Sequence, residues 1–180
     1  LEISDDVLIR NTLSGAIDSF DELMHRYERL VFKIAYSFGG NREDALDITQ
    51  TVFLKAYNNL STFRTDSSFK TWLLRITYNE GINWTRSWKN RADIHRDVDD
   101  ELLLLHASQE SDLIDKERRQ MIRLGLDSLN GRYRTAILLR YVHDMPIREI
   151  ARVLQCSEVM TKNILFRGVR SLRRTLVQPG

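Results

Sequence analysis

Apolar residues recur three and four apart through most of this chain, and the breaks between the runs mark out its helices. Phe20, Leu23, Tyr27, Leu30, Val31, Ile34 and Ala35 place one stripe on a helix expected from about Ile17 to Ser37. Gly39 and Gly40 end it. Asn41 is positioned to cap the next helix, with Asp44 in its negatively charged first turn. Ala45, Ile48, Val52, Phe53 and Ala56 carry that second stripe to about Asn59. After a polar loop from Ser61 to Ser68, the residues Phe69, Trp72, Leu73, Ile76, Tyr78 and Ile82 open a third helix running toward Lys89. Three long helices on short loops predict a compact bundle with Phe69 and Trp72 in its core.

The pattern changes from Asp93 to Glu117. Apart from Leu102 to Leu105, this stretch is acidic and weakly periodic, which predicts a tether with a reach of roughly 30 Å rather than a core. Periodicity returns with Ile122, Leu124, Leu126 and Leu129, then with Ala136, Ile137, Leu139 and Tyr141. Pro146 stands where a short helix can begin, lined by Ile147, Ile150, Ala151 and Leu154 and ending before Gln155 and Cys156. Ser157 then caps a helix from Glu158 to about Arg173. Met160, Ile164, Leu165, Val169 and Leu172 are expected on its inner side, with Lys162, Asn163, Phe166, Arg167 and Arg170 on its outer faces. Two helices across so short a turn make a helix-turn-helix pattern. In DNA-binding proteins the second of these helices enters the major groove, its early residues at base edges and the rest at phosphates. An ordinary helical hairpin with a solvated basic face fits the same local pattern.

Charge favours DNA. Arg118 to Gly180 holds 13 Lys or Arg against 4 Asp or Glu, while Ala92 to Glu117 holds 2 against 9 and the first 91 residues balance at 12 against 12. The net +2 of the 180 residues therefore hides a neutral first segment, a middle one of about −7 and a last one of about +9. An all-α architecture follows: two small helical domains, 1–91 and 118–180, joined by an acidic linker over 92–117. With 42% apolar residues, each domain is near the size where a core just suffices.

Composition excludes several function classes. No apolar run approaches the roughly 18 to 20 residues that span a bilayer, so no direct membrane insertion is expected. Leu1 to Phe20 lacks the basic head and apolar core of a signal peptide, and the chain reads as cytoplasmic. Cys156 is the single cysteine, which rules out an internal disulfide and a cysteine-based zinc site. His25, His95, His106 and His143 are scattered without metal-ligand spacing. No glycine-rich phosphate loop or nucleophile–base constellation marks an enzyme, and no cofactor or metal is expected.

The stretches from Phe20 to Leu23, Asp44 to Gln50, Val52 to Tyr57 and Phe69 to Ile76, with Asn79, resemble the first conserved domain of the sigma-70 family in its extracytoplasmic-function group. Leu139 to Val142, Ile147 to Ala151 and Cys156 to Leu172 resemble that group's second domain, in the right order. The resemblance implies a protein that joins core RNA polymerase, directs it to promoter DNA and helps to open the strands. A cognate anti-sigma factor is a further partner common in the group. Asp44, Asp47 and Gln50 resemble the docking surface for the clamp coiled coil of the polymerase's largest subunit. Their spacing at successive threes independently keeps them near one side of the helix.

The loop of Phe63, Arg64, Thr65, Asp66 and Ser67 resembles the group's pocket for a flipped minus-ten base, although Phe63 has a second use in closing the loop onto the bundle. Trp84, Arg86, Trp88, Lys89 and Arg91 resemble its end that contacts duplex and single strand. For the minus-thirty-five element the resemblance implies Arg148, Ser157, Glu158, Thr161, Lys162, Asn163, Phe166, Arg167 and Arg170. Four departures bear on specificity. Asn83 stands where the family often has Asp, and the cluster of Arg86, Lys89 and Arg91 is less densely basic than the family's; Val159 to Lys162 replaces the common Gly-Thr-Val-Lys start of the recognition helix, and Asn163-Ile164 its frequent Ser-Arg pair. The rival reading, a stand-alone helix-turn-helix regulator, accounts for Pro146 to Arg174 but not for the acidic face or the aromatic-basic helix end.

Overall fold

The computed structural model describes residues 3–64, 66–89, 121–122 and 124–177, and the chain divides into two compact units, Leu1–Ile94 and His95–Gly180. Every regular element among the described residues is helical, as the periodicity predicts. The proposed tether over 92–117 lies outside the described residues.

The first unit holds α1 (Asp5–Leu13), α2 (Asp18–Gly39), α3 (Arg42–Asn58), a single 3₁₀ turn (Leu60–Thr62) and α4 (Phe69–Lys89). Leu23, Val31, Ile34, Ala35, Ile48, Val52, Ala56, Leu73 and Leu74 are buried, so the three predicted stripes meet in one core. Phe69 and Trp72 join it. The periodicity did not reveal α1. Its buried side is only Leu8, Ile9 and Thr12, too few positions to establish a period. Long-range ties hold it instead: Arg26 of α2 donates to the Asp5 carboxylate at 2.6 Å and to the Ile3 carbonyl at 2.9 Å, and the Tyr27 hydroxyl donates to Asp5 at 2.5 Å.

Two glycines join α2 to α3 for different reasons. Gly40 adopts φ 81°, the left-handed conformation that closes a helix. Gly39 ends α2 where a Cβ would lie 2.7 Å from the Asp44 Cβ, so the first turn of α3 packs directly on its backbone. Farther along, α4 crosses α2 at Gly81, where an added Cβ would meet the Phe38 ring at 2.2 Å. Gly81→Ala is therefore expected to lose about 1 to 2 kcal/mol of stability through overpacking, despite the roughly 1 kcal/mol by which alanine favours a helix. A urea midpoint equal to or above that of the unmodified chain would contradict this close crossing.

The second unit contains a helical stretch over 124–127, then α5 (Gly131–Ile137), a π-helical turn (Leu138–Val142), α6 (Ile147–Leu154) and α7 (Glu158–Val177). Leu126, Leu129, Ala136, Ile137, Leu139, Met145, Ile150, Val153, Ile164 and Leu165 are buried. Arg134 is buried with them. Its Nε donates to the Leu126 carbonyl at 2.8 Å, its Nη2 to the Asp127 and Leu129 carbonyls at 2.7 and 3.3 Å, and its Nη1 lies 3.2 Å from the Asp127 carboxylate. One guanidinium thus closes the end of the 124–127 helix and satisfies carbonyls that a helix terminus leaves without partners.

Four members of the apolar pattern face outward, and for Met160 this corrects an expected inward position. Ile122 and Leu124 are exposed, and so is Tyr141. The reason at Tyr141 is the π turn: His143 N–H bonds to the Leu138 carbonyl, five residues back, at 3.1 Å, so the 3.6-residue period no longer tells which side chain faces the core. Met160 is also exposed, because Thr161 takes the inward position of that turn. The last helix continues to Val177, beyond the expected Arg173.

Candidate functional site

The Asn41 side chain accepts from Asp44 N–H at 2.8 Å, and its amide donates back to the Asp44 carboxylate at 3.0 Å. This reciprocal cap fixes the start of α3. Burial pushes the Asp44 carboxyl above its usual pKa, opposed by the hydrogen bond from Asn41 and by the Trp84 side chain beside it, with Asp47 and Glu43 adding repulsion. Asp44 is thus committed within the protein, closing the start of α3 with Asn41. Asp47 and Gln50 are exposed and present the polar chemistry of the outer face.

That face also carries residues the sequence reading missed. Leu46, Leu54 and Tyr57 are exposed on α3, Leu54 at 63%. Leu54 follows Asp47 by seven residues, two helical turns on the same side. A leucine off the inward stripe was the available signal. The outer side of α3 is accordingly an apolar strip edged by Glu43, Asp47 and Gln50, the composition of a protein interface with a polar rim. Lys55 bridges to Glu80 at 2.7 Å and helps hold α3 on α4.

The loop before α4 is built on the core. Phe63 packs against Phe69 and Trp72, with ring centroids at 5.9 and 5.4 Å. The second use of Phe63 is therefore realised: its ring closes the loop onto the bundle, leaving only a partial surface outward. Arg64 and Asp66 are exposed and Ser67 is half-buried. Ser68 caps α4, its hydroxyl accepting from Thr71 N–H at 3.2 Å. Thr65 and Arg91 lie outside the described residues, as do the side chains of Trp88 and Lys89.

Trp84 has a packing role beside the one the resemblance implied: it is half-buried against the core cluster, so part of its ring is spent on the bundle. Arg86 is exposed beside it.

In the second unit the turn between α6 and α7 is tightly organised. Gln155 takes a left-handed φ of 53°, and Cys156 N–H returns to the Ala151 carbonyl at 3.0 Å. The Ser157 hydroxyl accepts from Met160 N–H at 3.1 Å, making the predicted cap. Thr161 is 0% exposed. Its hydroxyl donates to the Ser157 carbonyl at 3.0 Å and lies 3.3 Å from the Cys156 sulfur. Thr161 therefore locks the turn and is withdrawn from any DNA contact, a correction to its assignment. Arg148, Ser157, Glu158, Lys162, Asn163, Phe166, Arg167 and Arg170 are all exposed. Spaced by three and four along α7, Lys162, Asn163, Phe166, Arg167 and Arg170 share one outward side, while Ile164, Leu165 and Gly168 face α5 and the core.

Among the described residues no cluster of histidine, cysteine, aspartate and glutamate is arranged to hold a metal ion, and no helix is long and apolar enough to cross a membrane. Three exposed features stand out among the described residues: an acidic and apolar helix face, a polar loop on an aromatic base, and a basic helix side.

Comparison with known proteins matches the first unit and the second to two successive regions of one family. Residues 23–91 match Sigma-70 region 2 and residues 119–172 match Sigma-70 region 4. The ECF RNA polymerase sigma factor SigW of Bacillus subtilis is 28% identical over 178 residues, covering 93% of this chain and 94% of the relative. The ECF RNA polymerase sigma-E factor of Escherichia coli is 29% identical over 187 residues, covering 99% and 96%. Among solved structures, CnrH in complex with the cytosolic domain of CnrY superposes with a TM-score of 0.71 at 23% identity, covering 98% of this chain and 99% of that one. RpoE of Bartonella quintana, in complex with the anti-sigma factor NepR, gives 0.69 at 20% identity over 89% and 98%. At these identities the two structures speak to the fold.

Proposed function

The chain belongs to the extracytoplasmic-function group of the sigma-70 family and is an RNA polymerase sigma factor, and we propose that it works through three separate surfaces. The outer side of α3, with Asp47, Gln50 and Leu54, docks on core polymerase. The loop of Arg64, Asp66 and Ser67, seated on Phe63, holds an unstacked base of the minus-ten element. The outward side of α7 enters the major groove at the minus-thirty-five element. One observation carries this reading: regions 2 and 4 of a single family occur in order in one chain, and relatives bearing the same name align over almost its whole length. A stand-alone regulator does not account for the first of these regions.

On this reading the protein is a binding subunit without catalysis of its own, acting where the polymerase acts, in the cytoplasm. A structural neighbour in complex with an anti-sigma factor supports a cognate anti-sigma factor as a third class of partner.

Run-off transcription with core enzyme, on a promoter selected from genomic fragments, tests the function; permanganate footprinting reports strand opening. Arg64→Ala and Ser67→Ala are expected to reduce opening by roughly threefold to tenfold, the worth of one hydrogen bond, while core binding is kept. Complete opening by a variant changed at Phe63, Arg64 and Ser67 together would remove the loop from the mechanism. Failure of the unmodified protein to initiate on any selected fragment would restore the stand-alone regulator. The basic side of α7 has its own signature. If it neutralises about four phosphates, the affinity of the chain for duplex DNA should fall with a logarithmic salt slope of about −3.6, and a flat response would contradict the electrostatic account.

A further inference from the structure

We propose that α7 reads thymine methyl groups through Val159 and Phe166, so that the upstream promoter element carries two thymines about two base pairs apart. The inference rests on α7 being the groove-reading helix and adds the base chemistry it selects. Val159 is 70% exposed and Phe166 67% exposed. Seven residues separate them, which returns a helix to nearly the same direction after two turns and displaces it by about 10.5 Å. A helix that follows the major groove sets residues three apart on successive bases, about 4.5 Å of helix per base step, so that displacement corresponds to about two steps.

Between the two apolar side chains, on the same side, stand Lys162 and Asn163, both exposed. Burial of Thr161, Ile164 and Leu165 fixes which way this side points. Val159 lies in the first turn after the Ser157 cap, where recognition helices meet base edges. Thymine alone among the four bases presents a methyl group in the major groove, and apolar side chains contact it there. The polar pair between them suits the complementary code: Asn163 can pair with adenine N6 and N7, and Lys162 with guanine O6 and N7.

A protein partner is the competing occupant of an exposed apolar strip. Here the strip is interleaved with Lys162 and flanked by the exposed Arg167 and Arg170, and this charge commits the face to a polyanion. Selectivity would then come mainly from excluding water between side-chain carbons and methyl groups. Polar base-reading groups alone would supply less of it.

Deoxyuridine substitution tests the proposal, because it removes the thymine methyl and leaves base pairing intact. Holoenzyme binding is measured on a fragment that the holoenzyme selects from genomic DNA, with thymines of the upstream element replaced one at a time on either strand. Two positions about two base pairs apart should each lose about fourfold in affinity, the equivalent of one apolar carbon returned to water. Val159→Ala should abolish the sensitivity at one position and Phe166→Ala at the other. Both residues are exposed, and alanine favours helix, so folding is kept. Affinity indifferent to uracil at every position would overturn thymine readout while specific initiation still upheld the sigma function. An equal loss for Val159→Ala on thymine and uracil templates would also overturn it, placing that side chain against something other than a methyl. Loss of initiation by the unmodified protein on every fragment would bring down the function and this inference together.

Discussion

Asp47→Arg is expected to weaken binding to core RNA polymerase on the order of a hundredfold while leaving helical content unchanged. Asp47 is exposed in the middle of α3, beyond the capped first turn, so its replacement disturbs neither the Asn41 cap nor the buried stripe. A reversed charge facing a complementary surface costs several kcal/mol, because attraction is lost and repulsion is added. Asp44→Arg is a poorer test of the same face. Asp44 is hydrogen-bonded to Asn41, and its loss would undo the cap of α3 whether or not polymerase touches it. Titration of labelled core enzyme checks the effect, with Asp47→Asn expected to fall between the two. Undiminished affinity in Asp47→Arg would take this side of α3 out of the interface.

The largest stability effect is expected at Arg134, whose guanidinium serves three carbonyls and the Asp127 carboxylate from within the second unit. Arg134→Ala leaves those carbonyls without this donor, takes a cation from beside the partly exposed Asp127 carboxylate and opens space in a small core. Leaving a buried acceptor unsatisfied costs about 1 to 3 kcal/mol, and several at once are a large fraction of what a domain this small has available. Arg134→Met, which keeps most of the volume, separates lost hydrogen bonds from lost packing. Hydrogen exchange resolved along the chain is the suitable measurement, since the three tryptophans all lie in the first unit. Faster exchange in α5, α6 and α7 with unchanged exchange in α2 and α3 is the expected result. Uniform protection in both units would show that the Arg134 network contributes little.

This network also shows where the sequence reading stopped. Arg134 counted there only as one of the 13 basic residues that make the last segment positive, whereas it is buried and spends its donors on the fold. Trp84 was read as a DNA-facing aromatic and packs half-buried on the core cluster. Thr161 was placed at the bases and holds the turn. In each case residue type and local spacing suit both roles, and the choice between them depends on what the rest of the chain brings within about 3 Å. Leu54 is the converse: its place off the inward stripe was visible, but its exposure depends on no neighbouring element covering it.

The starts, stops and inward stripes of α2, α3 and the first part of α4, the Asn41 and Ser157 caps, and the helix-turn-helix were legible in the residues alone. Each follows from interactions within about four positions along the chain, and local order of that kind survives any arrangement of the remainder. Family resemblance added the order of the two domains for the same reason, since its motifs lie on those helices. Packing between distant segments decided the rest. It held α1 through Arg26 and Tyr27, seated Phe63 on Phe69 and Trp72, and turned Tyr141 outward at a π turn that no period of 3.6 anticipates. It also separated, among many cations and aromatics of like appearance, those that support the fold from those left facing outward. Burial and hydrogen-bond partnership belong to pairs of residues brought together in space, so no reading along one helix contains them.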